Sequence, residues 1–367
     1  MKISLKLAAT VSIFAMGIGA ASAADLTVTS WGGAYTASQQ KAYGAPWEKA
    51  TGKKIHWENY NGGLGEVKTQ VESGAVNWDI VDLLPDQIRT GCDEGLFVKV
   101  PDSALAPAPG GVSFADDMMV PRPNECAIPQ IWWSYMAFYD SKVFSGDKAP
   151  SKFADFYDLK TYAGKRGMHT WGNANIEMAL VADGVDPKKV YEVMDTAEGI
   201  DRAFAKLDTI KNDVVFWSAG AKPLELVTSG EVSMSIAYNG RVGAAILAEG
   251  ATFVPIWDGQ VLEEEWLGIV TGTKNLETAM DFVKFASAPE QQAGQAKYIN
   301  YGPMRKSAFK IMAAGEPWFE APDGKKNIME HMPNRDEVMA RSVFASPDWW
   351  ADNGDEVNER FKAWMAK

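Results

Sequence analysis

The histidines, which exchange protons near neutral pH more readily than other side chains, are few and far apart in this sequence. They are His56, His169 and His331, and this spacing favours structural positions over a shared catalytic or metal site. The sequence also contains no Gly-x-Ser-x-Gly, Gly-x-x-x-x-Gly-Lys or His-Glu-x-x-His pattern. We therefore expect a protein that is not an enzyme and that holds no cofactor and no metal.

Residues 1–23 have the composition of an export signal. Lys2 and Lys6 give a basic start, an apolar run covers residues 7–20, and Ala21-Ser22-Ala23 is a small-residue cleavage site. The apolar run is shorter than the roughly 20 residues that a membrane span needs. We expect the mature chain to be periplasmic.

The two cysteines, Cys92 and Cys126, both lie in the mature chain. In an oxidising compartment they are expected to form one disulfide, with two buried thiols as the alternative. Two cysteines with no neighbouring histidine make a poor metal site.

The composition is that of a globular protein with an acidic surface. The chain has 367 residues, of which 46% are hydrophobic, and Lys+Arg 36 against Asp+Glu 48 gives a net charge of −12. Nucleic acid and anionic lipid need clustered basic residues, so neither is expected as a partner. At roughly 100–200 residues per domain, the length suggests about two domains.

Short β-branched runs alternate with longer amphipathic stretches, which is typical of α/β layers. Strands are predicted at 25–30, 54–60 and 78–84, with helices at 36–51 and 62–73. The order β-α-β-α-β predicts parallel pairing and right-handed crossovers.

The remaining chain predicts two lobes built from discontinuous segments. A long apolar strand at 131–139 is expected to run from one lobe into the other, with hinges near Tyr135 and Leu262. Ligands of such folds bind at the carboxyl ends of the strands, which here means the cleft between the lobes. The predicted division is a signal peptide at 1–23, a first lobe at 24–134 plus 263–320, a second lobe at 135–262, and a C-terminal helical segment at 321–367 that packs on the lobes.

Several short stretches, in a fixed order over nearly the whole mature chain, resemble a known family. They are 29–35 (TSWGGAY), 78–81 (WDIV), 153–167, 230–241 (GEVSMSIAYNGR), 279–290 and 301–303. Together they resemble the spermidine/putrescine-type periplasmic substrate-binding proteins of ABC importers, extracellular solute-binding protein family 1. The resemblance implies the two-lobed type II periplasmic-binding-protein fold, the Venus flytrap, which closes on a small solute and delivers it to a membrane permease. We expect the protein to be a monomer.

The resemblance also implies an aromatic box around the ligand's methylene chain. By resemblance, Trp31 and Tyr35 contribute rings from the first lobe and Tyr238 from the second, with Trp266 and Trp171 as further candidates. Aromatic faces attract cations by about 0.5–2 kcal/mol each. Each of these rings could instead be a core-packing residue.

The charged positions depart from the family pattern. Arg241 stands where putrescine-type members carry Asp, and the stretch 170–175 (TWGNAN) lacks the second-lobe carboxylate. An acid remains in the triple glutamate at 263–265, where the alignment favours Glu265 over Glu264. The alternatives are that Arg241 turns outward to a surface acid and that the glutamates form a solvated turn.

A guanidinium binds a carboxylate bidentately but repels a diammonium ligand inside a closing cleft. Arg241 and Glu265 therefore favour a small zwitterion, such as a γ-aminobutyrate-like amino acid or a betaine. A polyamine is the first alternative. A ferric ion is the second, because related two-lobed binders hold iron with paired tyrosines.

Overall fold

The structure, a computed structural model, describes residues 24–367, and the predicted export signal lies outside the described residues. Strands and helices alternate along the chain, as the α/β pattern predicts. The strands are β1 (Leu26–Ser30), β2 (Ile55–Asn59), β3 (Ile80–Leu83), β4 (Ile128–Asp140), β5 (Arg166–His169), β6 (Val214–Trp217), β7 (Met234–Tyr238), β8 (Phe253–Ile269), β9 (Gly302–Pro303), β10 (Phe319–Ala321), β11 (Gly324–Lys326) and β12 (Val343–Phe344).

The helix predicted at 36–51 is interrupted by a π-helical turn at Gln40–Gly44. Pro46 lies in the first turn of the helix that follows, and a proline has no N–H and clashes with the preceding turn of a regular helix. Among the described residues, no helix is long and apolar enough to cross a membrane. The α-helices are α1 (Gly33–Gln39), α2 (Ala45–Thr51), α3 (Gly65–Ser73), α4 (Pro85–Asp93), α5 (Phe114–Asp117), α6 (Asn175–Ala182), α7 (Val190–Met194), α8 (Ala197–Asp208), α9 (Lys222–Thr228), α10 (Asn239–Glu249), α11 (Leu276–Ala286), α12 (Pro289–Gln295), α13 (Lys306–Ala314), α14 (Asp336–Met339) and α15 (Pro347–Met365).

One long sheet connects the two halves of the molecule. Its main strand order is β2-β1-β3-β8-β4-β7-β5-β6. β1 pairs in parallel with β2 and β3, as predicted, and β5 pairs in parallel with β6 and β7. The long strands β4 and β8 pair antiparallel with each other between these two parallel groups. The two halves of the sheet therefore meet at one continuous pair of long strands.

Two large apolar cores lie on either side of this strand pair. The first includes Leu26, Ile80 and Phe282, and the second includes Phe153 and Ile176, all fully buried. Such a division is typical of a two-lobed α/β protein. We propose 24–134 plus 263–320 as the first lobe and 135–262 as the second.

The C-terminal segment contains strands as well as helices. β12 pairs in parallel with β8 at Val343 and Val261, and α15 then packs on both lobes. Its Trp350 donates a hydrogen bond of 2.7 Å from Nε1 to the Glu177 carboxylate of the second lobe. Asp348, at the start of the same helix, forms an ion pair with Arg89 of the first lobe.

The predicted disulfide between Cys92 and Cys126 is confirmed, with an S–S distance of 2.05 Å. The bond joins the end of α4 to the segment that leads into β4, and Cys126 is fully buried. It therefore links two parts of the first lobe that are 34 residues apart in sequence.

Replacing both cysteines by alanine is expected to lower the free energy of unfolding by about 3–4 kcal/mol, because the unfolded chain regains the entropy of an open loop. Urea unfolding of the variant and the parent measures this difference. Parent protein unfolded in the presence of a reductant serves as the control and should match the variant. An unchanged unfolding midpoint would contradict the prediction.

Candidate ligand-binding cleft

The cavity between the lobes lies where parallel strands of both lobes end. It contains about 530 Å³ of space between protein atoms, its open mouth included. In α/β folds, ligands bind at the carboxyl ends of the parallel strands and in the loops that follow them. The lining residues at or just after such strand ends are Trp31, Asn61 and Leu84 in the first lobe and His169, Ser218 and Tyr238 in the second.

Trp31 follows β1 and contacts both charged ends of the cavity. Its indole Nε1 donates a hydrogen bond of 2.6 Å to the Glu265 carboxylate, and its backbone carbonyl accepts one of 3.2 Å from Arg241. The ring lies 4.8 Å from Tyr60 and 6.4 Å from Trp171 of the second lobe, between centroids. Gly62 makes this packing possible, since a Cβ there would lie 2.7 Å from the Trp31 ring.

Arg241 lies in the first turn of α10, directly after β7, and is only 7% exposed. Its guanidinium fits between two glycines, because a Cβ on Gly33 or on Gly220 would approach it to 2.7 Å. Nε is buried without a hydrogen-bond partner, and no described carboxylate lies within 4.0 Å of the guanidinium. The cavity thus contains a buried positive charge that the described residues do not neutralise.

The acidic group that faces the cavity is Glu265 on β8, which is 3% exposed. Burial raises the pKa of Glu265 well above its usual value, the Asp82 and Glu263 carboxyls raise it further, and the Trp31 hydrogen bond opposes the rise. Asp82 is fully buried behind the cavity, where Gln39 donates to it at 2.6 Å. Burial raises the pKa of Asp82 to about 7. Asp82 and Glu265 therefore ionise together only with difficulty, and a cation bound at this end of the cleft would favour their ionised forms.

Aromatic rings form the walls between these two ends. Tyr238 packs against Tyr135 at 5.1 Å and against Trp133 at 5.4 Å between ring centroids. The Arg241 guanidinium lies 5.7 Å from the Tyr238 ring, and its charge opposes the burial that raises the pKa of Tyr238 to about 12. Such walls suit a short methylene chain.

Most of the residues predicted from the sequence line this cavity. Two departures occur on β8, because neighbouring residues of a strand point to opposite faces. Trp266 is fully buried in the first-lobe core and does not line the cleft. Glu264 accepts a hydrogen bond of 3.2 Å from the Trp266 indole and likewise lies outside the cleft. The predicted residues that line the cleft are Trp31, Tyr35, Trp171, Tyr238, Arg241 and Glu265.

Other lining residues were not predicted as part of the site. Trp133 and Tyr135 lie on β4, and Tyr301 belongs to the last of the stretches that carry the family resemblance. His169 was interpreted as structural, and burial lowers its pKa to about 3, so it is neutral at physiological pH. Its Nδ1 accepts a hydrogen bond from the Trp171 backbone at 3.0 Å. Residues 131, 133 and 135 alternate along one strand and so share a face. This spacing in the sequence could have predicted that they line the cleft together.

Comparison with known families gives one match that spans most of the chain. Residues 42–325 match the family described as bacterial extracellular solute-binding protein. The resemblance predicted from the sequence is thereby confirmed at the level of the family.

Three individual proteins are similar to this chain over most of its length. The γ-aminobutyric acid-binding protein of Pseudomonas aeruginosa is 36% identical, over 97% of this chain and 96% of that protein. An ABC transporter substrate-binding protein from Bradyrhizobium japonicum has a solved structure with a TM-score of 0.78 at 32% identity, covering 94% of this chain and 100% of its own. The structure of the Atu4243 GABA receptor gives a TM-score of 0.77 at 29% identity, covering 94% and 98%.

Replacing Asp82 by Asn is expected to make the stability of the unliganded protein less sensitive to pH. The pKa of Asp82 is about 7 in the folded protein and about 3.9 in an unfolded chain. Between these values the folded state binds the proton more strongly, so the free energy of unfolding falls as pH rises, by at most about 4 kcal/mol from this group.

Urea unfolding at about pH 5 and pH 8 measures the difference between parent and variant. The buried His169 has an opposite effect below its unfolded pKa, but it is present in both proteins and cancels. Equal pH dependence in the two proteins would show that Asp82 is already ionised at low pH.

Proposed function

Because the chain belongs to the bacterial extracellular solute-binding protein family, we propose that it captures a small ω-amino acid of the γ-aminobutyrate type. The solute binds in the cleft between the lobes, in the periplasm, and is delivered to an ABC permease. Members of this family bind solutes, and the chain is a binding protein and not an enzyme.

The observation that carries this proposal is the buried, unneutralised guanidinium of Arg241 in the same cavity as the Glu265 carboxylate. A buried charge without a partner is costly, and a ligand carboxylate would remove that cost through a charge-assisted, bidentate hydrogen bond. A ligand ammonium group would do the same for the acidic end. A zwitterion with its charges at opposite ends satisfies both.

The walls and the similar proteins support a short, linear chain between the two charges. Trp31, Trp171 and Tyr238 present rings to the cavity, and such surfaces bind methylene groups and attract ammonium groups. The Pseudomonas aeruginosa relative is a γ-aminobutyric acid-binding protein, and one solved structure with a similar fold is a GABA receptor.

Closure follows from contacts that neither lobe can make alone. Arg241 of the second lobe donates to the Trp31 carbonyl of the first, and Trp171 packs edge-on against the Trp31 ring. A ligand held by Arg241 at one end and Glu265 at the other adds a further link between the lobes. It therefore favours the closed form by its difference in affinity for the two forms.

The two alternative ligands fit the cleft less well. A polyamine would place a second ammonium group near Arg241, where like charges repel in a site of low polarity. A ferric ion needs several anionic ligands, and the described residues contain no group of three or more His, Cys, Asp or Glu side chains that could hold a metal. Burial also raises the pKa of the cleft tyrosine Tyr238 to about 12, which disfavours the phenolate form that would bind iron.

Arg241→Gln is expected to weaken γ-aminobutyrate binding by about thirtyfold or more, because truncating one partner of a buried charge pair costs roughly 2–5 kcal/mol. Isothermal titration calorimetry measures the affinity. Arg341→Gln is the matched control, since Arg341 forms an exposed ion pair with Asp258 away from the cleft and its loss should change nothing. Tight putrescine binding by the parent, together with undiminished γ-aminobutyrate binding by Arg241→Gln, would refute the ligand assignment.

Binding is also expected to release protons below neutral pH. The pKa of Glu265 is raised well above its usual value in the empty cleft, and an ammonium group beside it stabilises the ionised form. The pKa therefore falls on binding, and the apparent affinity rises with pH until the empty cleft is itself ionised.

Calorimetry at about pH 6 in two buffers of different ionisation enthalpy detects the released protons. Glu265→Gln keeps an acceptor for the Trp31 indole but removes the titrating group, and should bind more weakly with less proton release. Net proton uptake by the parent would contradict the expected role of Glu265.

A further inference from the structure

Two tryptophans, one from each lobe, narrow the mouth of the ligand-binding cleft. Trp31 directly follows β1 and Trp171 comes two residues after β5, and their rings meet edge-on with 6.4 Å between centroids. Both residues are half-buried, whereas Tyr135 and Glu265, which line the same cavity, are almost fully buried. The two indoles therefore lie on the solvent side of the cavity.

The loop after β2 packs against both indoles. A Cβ on Gly62 would lie 2.7 Å from the Trp31 ring and 3.0 Å from the Trp171 ring, so there is no room at this point for an added methyl group. The φ of Gly62 is 82°, in the region that favours glycine. Three separate segments of the chain thus meet at the mouth of the cleft.

Trp171 is held in place by residues of its own lobe. Its backbone N–H donates to His169 Nδ1 at 3.0 Å, and its carbonyl accepts a hydrogen bond of 2.6 Å from the Asn175 side chain. The same Asn175 amide donates to the His169 carbonyl at 2.9 Å. The His169 ring packs edge-on against the Trp171 ring, with 4.6 Å between centroids. These contacts fix both the backbone and the ring of Trp171.

The C-terminal helix holds the same loop from outside the cleft. Asn358 of α15 accepts a hydrogen bond of 2.8 Å from the Gly172 N–H and donates one of 3.4 Å to the Asn173 side chain. Ala174 has a φ of 65° and is the one non-glycine with a positive φ in the part of the chain that the structure describes. Such a strained backbone persists only where the surrounding structure holds it. The loop 170–175 is therefore fixed by α15 as well as by β5.

The position of Trp171 restricts the shape of a solute in the cleft. A ligand that links Arg241 and Glu265 passes along Trp31, because Trp31 contacts both of these residues. Tyr238 and the rings packed behind it close off the inner side of this path. A substituent on the ligand chain therefore has to extend toward the mouth, where it meets the Trp171 ring.

We propose that Trp171 is a specificity-determining residue, which restricts the cleft to ω-amino acids with no substituent on the chain between their two charges, and that Asn358 is a positioning residue for it. The inference rests on the proposed function and adds the shape of the solute to its charges. A steric clash of this kind discriminates between ligands that carry the same charges.

4-Amino-3-phenylbutanoate is a suitable probe, because it has both charges of γ-aminobutyrate and a ring on the middle carbon of the chain. Isothermal titration calorimetry with both compounds gives the ratio of their affinities. The parent should bind the phenyl compound at least about a hundredfold more weakly than γ-aminobutyrate. Trp171→Ala should reduce this ratio by at least about tenfold, whatever the variant does to γ-aminobutyrate binding itself.

Asn358→Ala tests the positioning role. It should reduce the ratio by about threefold or more, because the loop that carries Trp171 loses a hydrogen bond. Asn353→Ala is the matched control, since Asn353 lies on the same helix and donates to the Trp349 carbonyl of that helix at 2.9 Å. Its ratio should equal that of the parent. A general loss of stability would not change the ratio between two ligands of one protein.

Equal affinities of the parent for the two compounds, or an unchanged ratio in Trp171→Ala, would overturn the proposal. Equal ratios in Asn358→Ala and Asn353→Ala would overturn the role of Asn358. Should Trp171→Ala fail to fold by circular dichroism, Trp171→Leu, which keeps an apolar side chain, replaces it with the same expected reduction. A parent that binds neither compound refutes the proposed function together with this inference. A parent that binds γ-aminobutyrate but shows no such discrimination refutes this inference alone.

Discussion

A buried guanidinium that no described carboxylate neutralises determines the chemistry of the cleft. Arg241 can lie this deep only because Gly33 of one lobe and Gly220 of the other leave room for it. Its hydrogen bond to the Trp31 carbonyl crosses between the lobes, so the cost of burying the charge is greatest when the cleft is closed. An anionic group in the cleft removes this cost, which couples ligand charge directly to closure.

The acidic side of the molecule is arranged differently. Asp82, Glu263 and Glu265 are all buried near one another, and each has a pKa above its usual value. Three such carboxyls repel one another when they are ionised. Some of them are therefore protonated, and uncharged, at neutral pH. A cation can therefore displace protons as well as gain attraction. In the proposed function, this is how a protein with a surplus of acid would keep a specific site for one ammonium group.

The sequence allowed much of the fold and part of the site to be predicted. The first β-α-β-α-β unit follows from alternating patterns, and the charge difference at Arg241 follows from one aligned stretch. Trp266 was a further candidate for the cleft, but strand geometry turns it to the face opposite Glu265, and it packs in the first-lobe core. Tyr301 and His169 reach the cleft from distant segments. Their positions depend on how the lobes pack, which no local pattern specifies.

The strands that connect the proposed lobes also form the floor of the cleft. β4 and β8 pair along most of their length, but their register shifts between Tyr135 and Ala137. Such an irregularity bends a strand and increases its twist. Tyr135 lines the cleft and pairs with Tyr238 on β7 and with Val261 on β8. Tyr135 therefore lies beside an irregularity that bends the connecting strand. In the proposed function, a solute that packs against Tyr135 and Tyr238 contacts the connecting strand beside this bend, so closure would need no relay through distant residues.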